Sequence, residues 1–318
     1  MTDTSPRANF AGINALLSRA PGYSVAAKCL EVQAEAERRN ANLRQGDRVW
    51  LHEDARSWFV GALGEIEVGM LLAQLGPEWF VRHSVPIGAG TTDVDHLLIG
   101  PAGVFALNTK HHSGHSIWVG DHVLRVNTSN TSHLSAAIHE AREVTSRLSR
   151  KARIPVEAFA VLVIVGARSI KDIRPEARRQ PTVIPAPALV GWLSSLPARL
   201  TTSEVGLIRL AAEEPDTWHV DPHAADTLRV MQRFDRLRSA VQPAPATRGS
   251  YTSVRRVKTS QTAAAPHPRG SLRRGLIRAA FLVASVTVLL AFSGPIMQLL
   301  FKLMVQLLAL LNPAFASK

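Results

Sequence analysis

The chain has 318 residues, enough to bury one good-sized core or two small ones, and its 46% apolar and 19% charged content is ordinary for a folded protein with some membrane-like sequence added. A single cysteine, Cys29, excludes an intramolecular disulfide and points to a reducing compartment. The formal charge of +12 would suggest a nucleic-acid partner, but no acidic residue follows Asp235 while twelve Lys and Arg do, and the 25 acids before that point face 25 bases, so net charge says nothing about the body of the chain.

Residues 1–22 are punctuated by Pro and Gly, are predicted to be loosely ordered, and lack the apolar run of a secretory signal. Val25, Cys29, Val32 and Ala36 repeat at helical spacing, which predicts a helix from Ser24 to about Arg44, stopped at Gly46-Asp47. A second helix is predicted from Glu53 to Leu75, with Trp58, Ala62, Ile66, Gly69 and Leu72 on its inner face and Gly76-Pro77 ending it. Within it Glu65 stands among Gly61, Gly64 and Gly69, which let another backbone come close. Phe80–Val85 reads as a strand. After the loop at 87–92, Asp93–Ile99 and Val104–Leu107 read as a buried hairpin around Gly100-Pro101-Ala102-Gly103.

Short strands are predicted at Ile117–Val119 and Val123–Val126. An amphipathic helix is predicted over Thr131–Lys151, its buried stripe formed by Leu134, Ala137, Ile138, Ala141, Val144 and Leu148. His139, Glu140, Arg142 and Glu143 fall on its polar side, a solvated face by default. Ala158–Val165 is the clearest buried strand, and Thr182–Ile184 a further short one. Helices follow at 187–195 and 203–212. This order is α/β with a mixed sheet flanked by helices.

From Ser239 to Ser271 the composition is Pro, Ala, Ser and Thr with interspersed Arg, a linker that cannot bury a core. Ala279–Phe292 carries no charge. Alone it is too short for a hydrocarbon core about 30 Å thick, and extending it to Leu300 through a kink at Pro295 makes it long enough. Beyond Ile296, Gln298, Lys302 and Gln306 recur every four residues, a polar stripe suited to the membrane interface or a partner helix. The arginines before Leu276 place the preceding chain on the cytoplasmic side. The expected layout is an N-terminal helical extension (1–50), an α/β domain (51–235), a basic linker (236–275) and a C-terminal transmembrane or amphipathic segment (276–312). That makes a single-pass membrane protein with its N-terminal domain in the cytoplasm. The rival reading of the tail is a buried helix of a soluble protein.

The stretch that carries chemistry is Thr92–His115. Asp95 lies on the first strand of the hairpin. Asn108 and Lys110, two apart at the end of the second, share a face because side chains alternate along a strand. A hairpin of this kind brings an acid, an amide and an amine to one end of a sheet. Gly61-Ala-Leu-Gly64-Glu65, then Asp93-Val-Asp95-His96, then Gly-Val-Phe-Ala-Leu-Asn108-Thr-Lys110 resemble, in order and spacing, the nuclease-related domain (NERD), usually placed in the PD-(D/E)xK restriction-endonuclease-like superfamily. The resemblance covers roughly Trp58 to Leu210. It departs at Asn108, where the superfamily has a second acid, and an amide oxygen serves a hard divalent cation less well than a carboxylate.

The resemblance implies a restriction-endonuclease-like fold and metal-dependent cleavage of DNA or RNA. Glu65 and Asp95 would hold Mg²⁺ or Mn²⁺, helped by a main-chain carbonyl near Thr109. Asn108 would stand as a weaker ligand, and Lys110 would hold or help deprotonate the attacking water. Asp93 is a candidate to compensate for the charge missing at Asn108. Pairing of two copies is also implied. The rival readings are a catalytically weakened module for nucleic-acid binding or signalling, and a membrane-associated scaffold acting through its tail. His111, His112 and His115, with His96 nearby, invite a zinc reading, but a local loop without Cys supports it poorly. Phosphate contact or an exposed loop is the better expectation for them.

Overall fold

The computed structural model describes residues 19–88, 92–218 and 226–242. The chain divides into two units, Met1–Thr247 and Arg248–Lys318, and every described residue belongs to the first. The expected membrane segment lies outside the described residues, among which no helix is long and apolar enough to cross a membrane.

Helix α1 (Tyr23–Arg39) starts where its spacing predicts but stops short of Arg44. Asn40 ends it: its side chain accepts from the Asn42 amide and opens a 3-10 turn. Gly46-Asp47 is instead the turn between two-residue strands at Arg44–Gln45 and Arg48–Val49. Helix α2 (Glu53–Leu72) is capped by His52, whose ring accepts from the Asp54 amide, and carries Glu53 and Asp54 in its first turn, where the helix dipole favours negative charge. Trp58 is not on its inner face. It is 38% exposed, because the buried phase runs through Ala55, Phe59 and Ala62, one residue out of step with it.

Five strands form the main sheet: β1 (Phe80–Pro86), β2 (Asp93–Gly100), β3 (Gly103–His111), β7 (Ala158–Val165) and β9 (Thr182–Pro185). Their order across the sheet is β9-β7-β3-β2-β1. β1, β2 and β3 run antiparallel in turn, whereas β3, β7 and β9 are parallel. The β2–β3 hairpin turns at Pro101-Ala102, and Gly103 follows at φ +131°, a conformation that only glycine adopts without strain. Helix α3 (His133–Ala152) makes the parallel crossover from β3 towards β7, the connection that such pairing requires.

Each face of the sheet is covered by helices. On one, Leu97, Ile99, Val104 and Ala106 meet Ala137, Ala141, Val144 and Leu148 of α3 and Ile208 of α5 (Thr202–Glu213). On the other, Leu98, Phe105, Leu107 and Val161 meet Val68 and Leu72 of α2 and Leu189 and Leu193 of α4 (Leu189–Ser195). Each such aliphatic side chain, fully buried, contributes roughly 1.5–3 kcal/mol.

Two features go beyond the sequence reading, which predicted only the strands at 117–119 and 123–126 of the first and nothing of the second. The first is a separate four-stranded sheet, β8-β4-β5-β6, built from β4 (Ser116–Val119), β5 (Leu124–Val126), β6 (Ser129–Thr131) and β8 (Ser169–Asp172). Its parallel pair β4–β8 continues the β3–β7 pair beyond the turns at 112–115 and 166–168. The second is α6 (Thr227–Ala240), whose Val230, Phe234 and Leu237 pack with Tyr23, Ala26 and Cys29 of α1 and Phe59 and Ala62 of α2.

Candidate active site

Strand β3 runs on to His111, so Asn108 and Lys110 stand inside the strand rather than beyond its end. The β2–β3 ladder stops at His96–Leu107. Past that point the two strands part, and the Thr109 amide donates to the Asp95 carboxylate. Asp95, Asn108 and Thr109 are thereby buried at the fork, with Lys110 half-buried beside them. Helix α2 supplies Glu65, which is only 5% exposed. Its approach depends on Gly64, where a Cβ would lie 3.1 Å from the Cβ of His111 at the end of β3. The glycines around Glu65 therefore do admit a neighbouring element, as their spacing predicts.

The charges of these groups bear directly on one another. Burial pushes the Glu65 carboxyl well above the usual carboxylate range, the negative charges of Asp95 and Asp93 push it further, and only the Lys110 ammonium pulls it down. Asp95 is also raised by burial, against the pull of Lys110 and of its hydrogen bonds with Thr109. Asp93 rises to about 6 through burial and the charge of Asp95, with Ser24 and Arg19 acting to lower it. Lys110 is thus a cation whose charge reaches both Glu65 and Asp95.

Glu140 is the residue that sequence reasoning misplaced. It is 8% exposed, not on a solvated face, and both its carboxylate oxygens accept from Nδ2 of Asn108, at 2.8 and 2.7 Å. Burial and the charge of Asp95 raise it to about 7, although the Asn108 hydrogen bond and Lys110 oppose the rise. The signal was present in the spacing. Position 140 is three after Ala137 and four before Val144, both on the buried stripe, and only its charge argued for solvent.

The histidines divide into two pairs. His96 is wholly buried and meets His83 Nδ1 to Nδ1 at 2.8 Å; burial drives both rings down, His83 to about 4. His112 and His133 stack with their Nε2 atoms 3.3 Å apart, and burial, then the neighbouring cations, hold both below their ordinary value. His115 turns to the Ser113 carbonyl.

A divalent cation can be tested against these donors. Glu65 Oε2 and Asn108 Oδ1 are buried oxygens without a hydrogen-bond partner among the described residues. An all-oxygen set suits a hard cation. Among the described residues, however, no three His, Cys, Asp or Glu side chains are grouped closely enough to hold an ion. The donor chemistry is of the kind a hard cation takes, with two carboxylates, Glu65 and Asp95, and neutral oxygens as the candidates to hold one.

The fold is a mixed sheet between helices, with a buried Glu–Asp–Asn–Lys cluster where β2 and β3 part. Residues 60–164 match the family model of the nuclease-related domain (NERD), which is consistent with the PD-(D/E)xK superfamily. No curated protein and no solved structure matches the chain.

Proposed function

We propose that this protein is a metal-dependent phosphodiester hydrolase acting on DNA or RNA. What supports the reading is one observation: the buried Glu65 and Asp95 carboxyls, from a helix and a strand, both feel the charge of Lys110 on the next strand, within the stretch that matches the nuclease-related domain. Glu65 and Asp95 would hold the cation, with the Asn108 amide oxygen as a further donor. Bound there, Mg²⁺ or Mn²⁺ supplies electrostatic stabilisation of the charge that develops on the phosphoryl oxygens. Lys110 holds the attacking water by hydrogen bonding and balances the added negative charge at phosphorus. The Thr109 amide fixes the Asp95 carboxylate so that it does not reorient during reaction. The test is cleavage of labelled DNA and RNA by the full-length protein with Mg²⁺ or Mn²⁺, beside Lys110→Ala and Asp95→Ala. Equal turnover in all three would reveal a contaminant and end the enzyme reading.

A second reading, a weakened module that binds nucleic acid or signals, draws on Asn108 and on the absence, among the described residues, of a third acid grouped for a metal. Cation binding without cleavage would favour it. We further propose that the apolar segment at 279–300 tethers the domain to a membrane with the basic linker on the cytoplasmic side. A chain ending at Ser271 that stays in the membrane fraction would remove that proposal.

A further inference from the structure

We propose that Glu140 is a positioning residue that makes Asn108 an oxygen donor and returns to the site the negative charge that Asn108 lacks. The inference rests on the hydrolase reading above and assigns a role to a residue outside the Glu65, Asp95, Lys110 set.

The position of Glu140 is costly without a purpose. It lies on the sheet-facing stripe of α3 between Ala137 and Val144, where an apolar side chain would pack without penalty. A buried carboxylate there loses its hydration, and its hydrogen-bond partner among the described residues is a neutral amide. Asp95 and Asp93 repel it, and Lys110 alone among the nearby charges attracts it.

The same contact decides which way the Asn108 amide faces. Nδ2 of Asn108 donates to Glu140, so the NH₂ group of the amide points to the carboxylate. Both carboxylate oxygens take it, and the amide oxygen is left free on the strand face that Lys110 shares. Rotating the amide would set oxygen against oxygen in a buried place. Glu140 therefore orients Asn108 as an acceptor, the one role in which an amide can replace a carboxylate beside a cation. Its own charge sits one side chain further away, and at short range in a partly buried site a unit charge still acts strongly on a divalent ion.

If the charge has been moved from 108 to 140, the two residues are exchangeable as a pair. Mn²⁺ binding to the full-length protein, measured by calorimetry without substrate, is the test. Glu140→Gln is expected to raise Kd about tenfold or more. Asn108→Asp with Glu140→Gln, which keeps one acid and one amide in contact, is expected to return Kd to within about threefold of wild type. Asn108→Asp alone sets two carboxylates face to face and is expected to lower the melting temperature of the metal-free protein. A Glu140→Gln variant that binds Mn²⁺ as wild type does would overturn the inference and leave the hydrolase reading intact. So would a loss that the exchanged pair fails to recover. A wild-type protein that binds no Mn²⁺ would overturn both.

Discussion

Two buried clusters of charge in this molecule are built to opposite specifications. At the end of β8, the Arg174 side chain is fully buried, and its guanidinium meets both oxygens of Asp172 at 3.0 and 2.7 Å and the carbonyls of Gln180 and Pro181 at 3.2 and 3.0 Å. Burial pushes the Asp172 carboxyl up, but the hydrogen bonds and charge of Arg174 outweigh it and hold the group below its ordinary value. At the fork of the main sheet, Glu65, Asp93, Asp95 and Glu140 are all raised, with Lys110 acting on three of them and Arg19 on Asp93, and several oxygens without a partner among the described residues. The first cluster is closed: each charge finds its counterpart within the fold. The second is open, with more acids than cations among the described residues. A surplus of this kind destabilises the fold unless something from outside completes it.

The largest expected effect tests the closed cluster. Arg174→Ala leaves Asp172 and two carbonyls unpaired and should cost about 3–5 kcal/mol of stability, read from the denaturant midpoint. The variant that still folds should keep wild-type metal affinity, and a change in affinity would erase the distinction between the clusters. Next comes Lys110→Ala at the open cluster, which should lower kcat on labelled nucleic acid by at least about a hundredfold. Wild-type kcat in that variant would mean that the amine takes no part in chemistry.

Glu140→Gln tests the surplus itself. A carboxyl raised from 4.5 to about 7 keeps its proton longer in the fold than in the unfolded chain. The stability it confers is present below about pH 4.5 and is lost as pH climbs to about 7. Relative to wild type, metal-free Glu140→Gln should therefore gain stability across that window and level off above it, by at most on the order of 3 kcal/mol. The depressed histidines His83, His96 and His133 act in the opposite sense, losing stability as pH falls through their lowered values. They are common to both proteins and cancel in the difference. A difference that is flat with pH would show that Glu140 is not the strained acid its surroundings make it. Smallest is Gly64→Ala, where the added methyl meets His111 at 3.1 Å. It should cost about 1 kcal/mol in thermal melting and lower activity by separating Glu65 from β3. Unchanged values in both would show that the close approach is dispensable.

What the sequence made legible follows physical scale. The hairpin and the Ala158–Val165 strand were readable because both of their faces are buried and they form unbroken apolar runs, and α3 because it buries one apolar stripe that local spacing records directly. Glu65, Asp95 and Lys110 were picked out by family order and spacing, and in the structure Lys110 acts on the charge of both acids. Strand β8 was not readable. Its SIKD sequence has no apolar run, and it exists because β7 carries its parallel partnership with β3 beyond the turn. Helix α6 is polar for most of its surface, and its three core contacts have meaning only once α1 is beside them. Glu140 was misread for the opposite reason, since its charge was given more weight than its phase on the helix.

Helix α2 belongs to two cores at once: Phe59 and Ala62 pack with α1 and α6, Val68 and Leu72 pack on the sheet, and Glu65 lies between these halves. The acid is therefore mounted like a lever between two clamps, and loosening either would swing it. The family match begins at residue 60, inside this helix. A fragment trimmed to that boundary would retain every residue of the site and lose one of the clamps, so the smallest unit that aims Glu65 correctly extends to α1 at one end and α6 at the other.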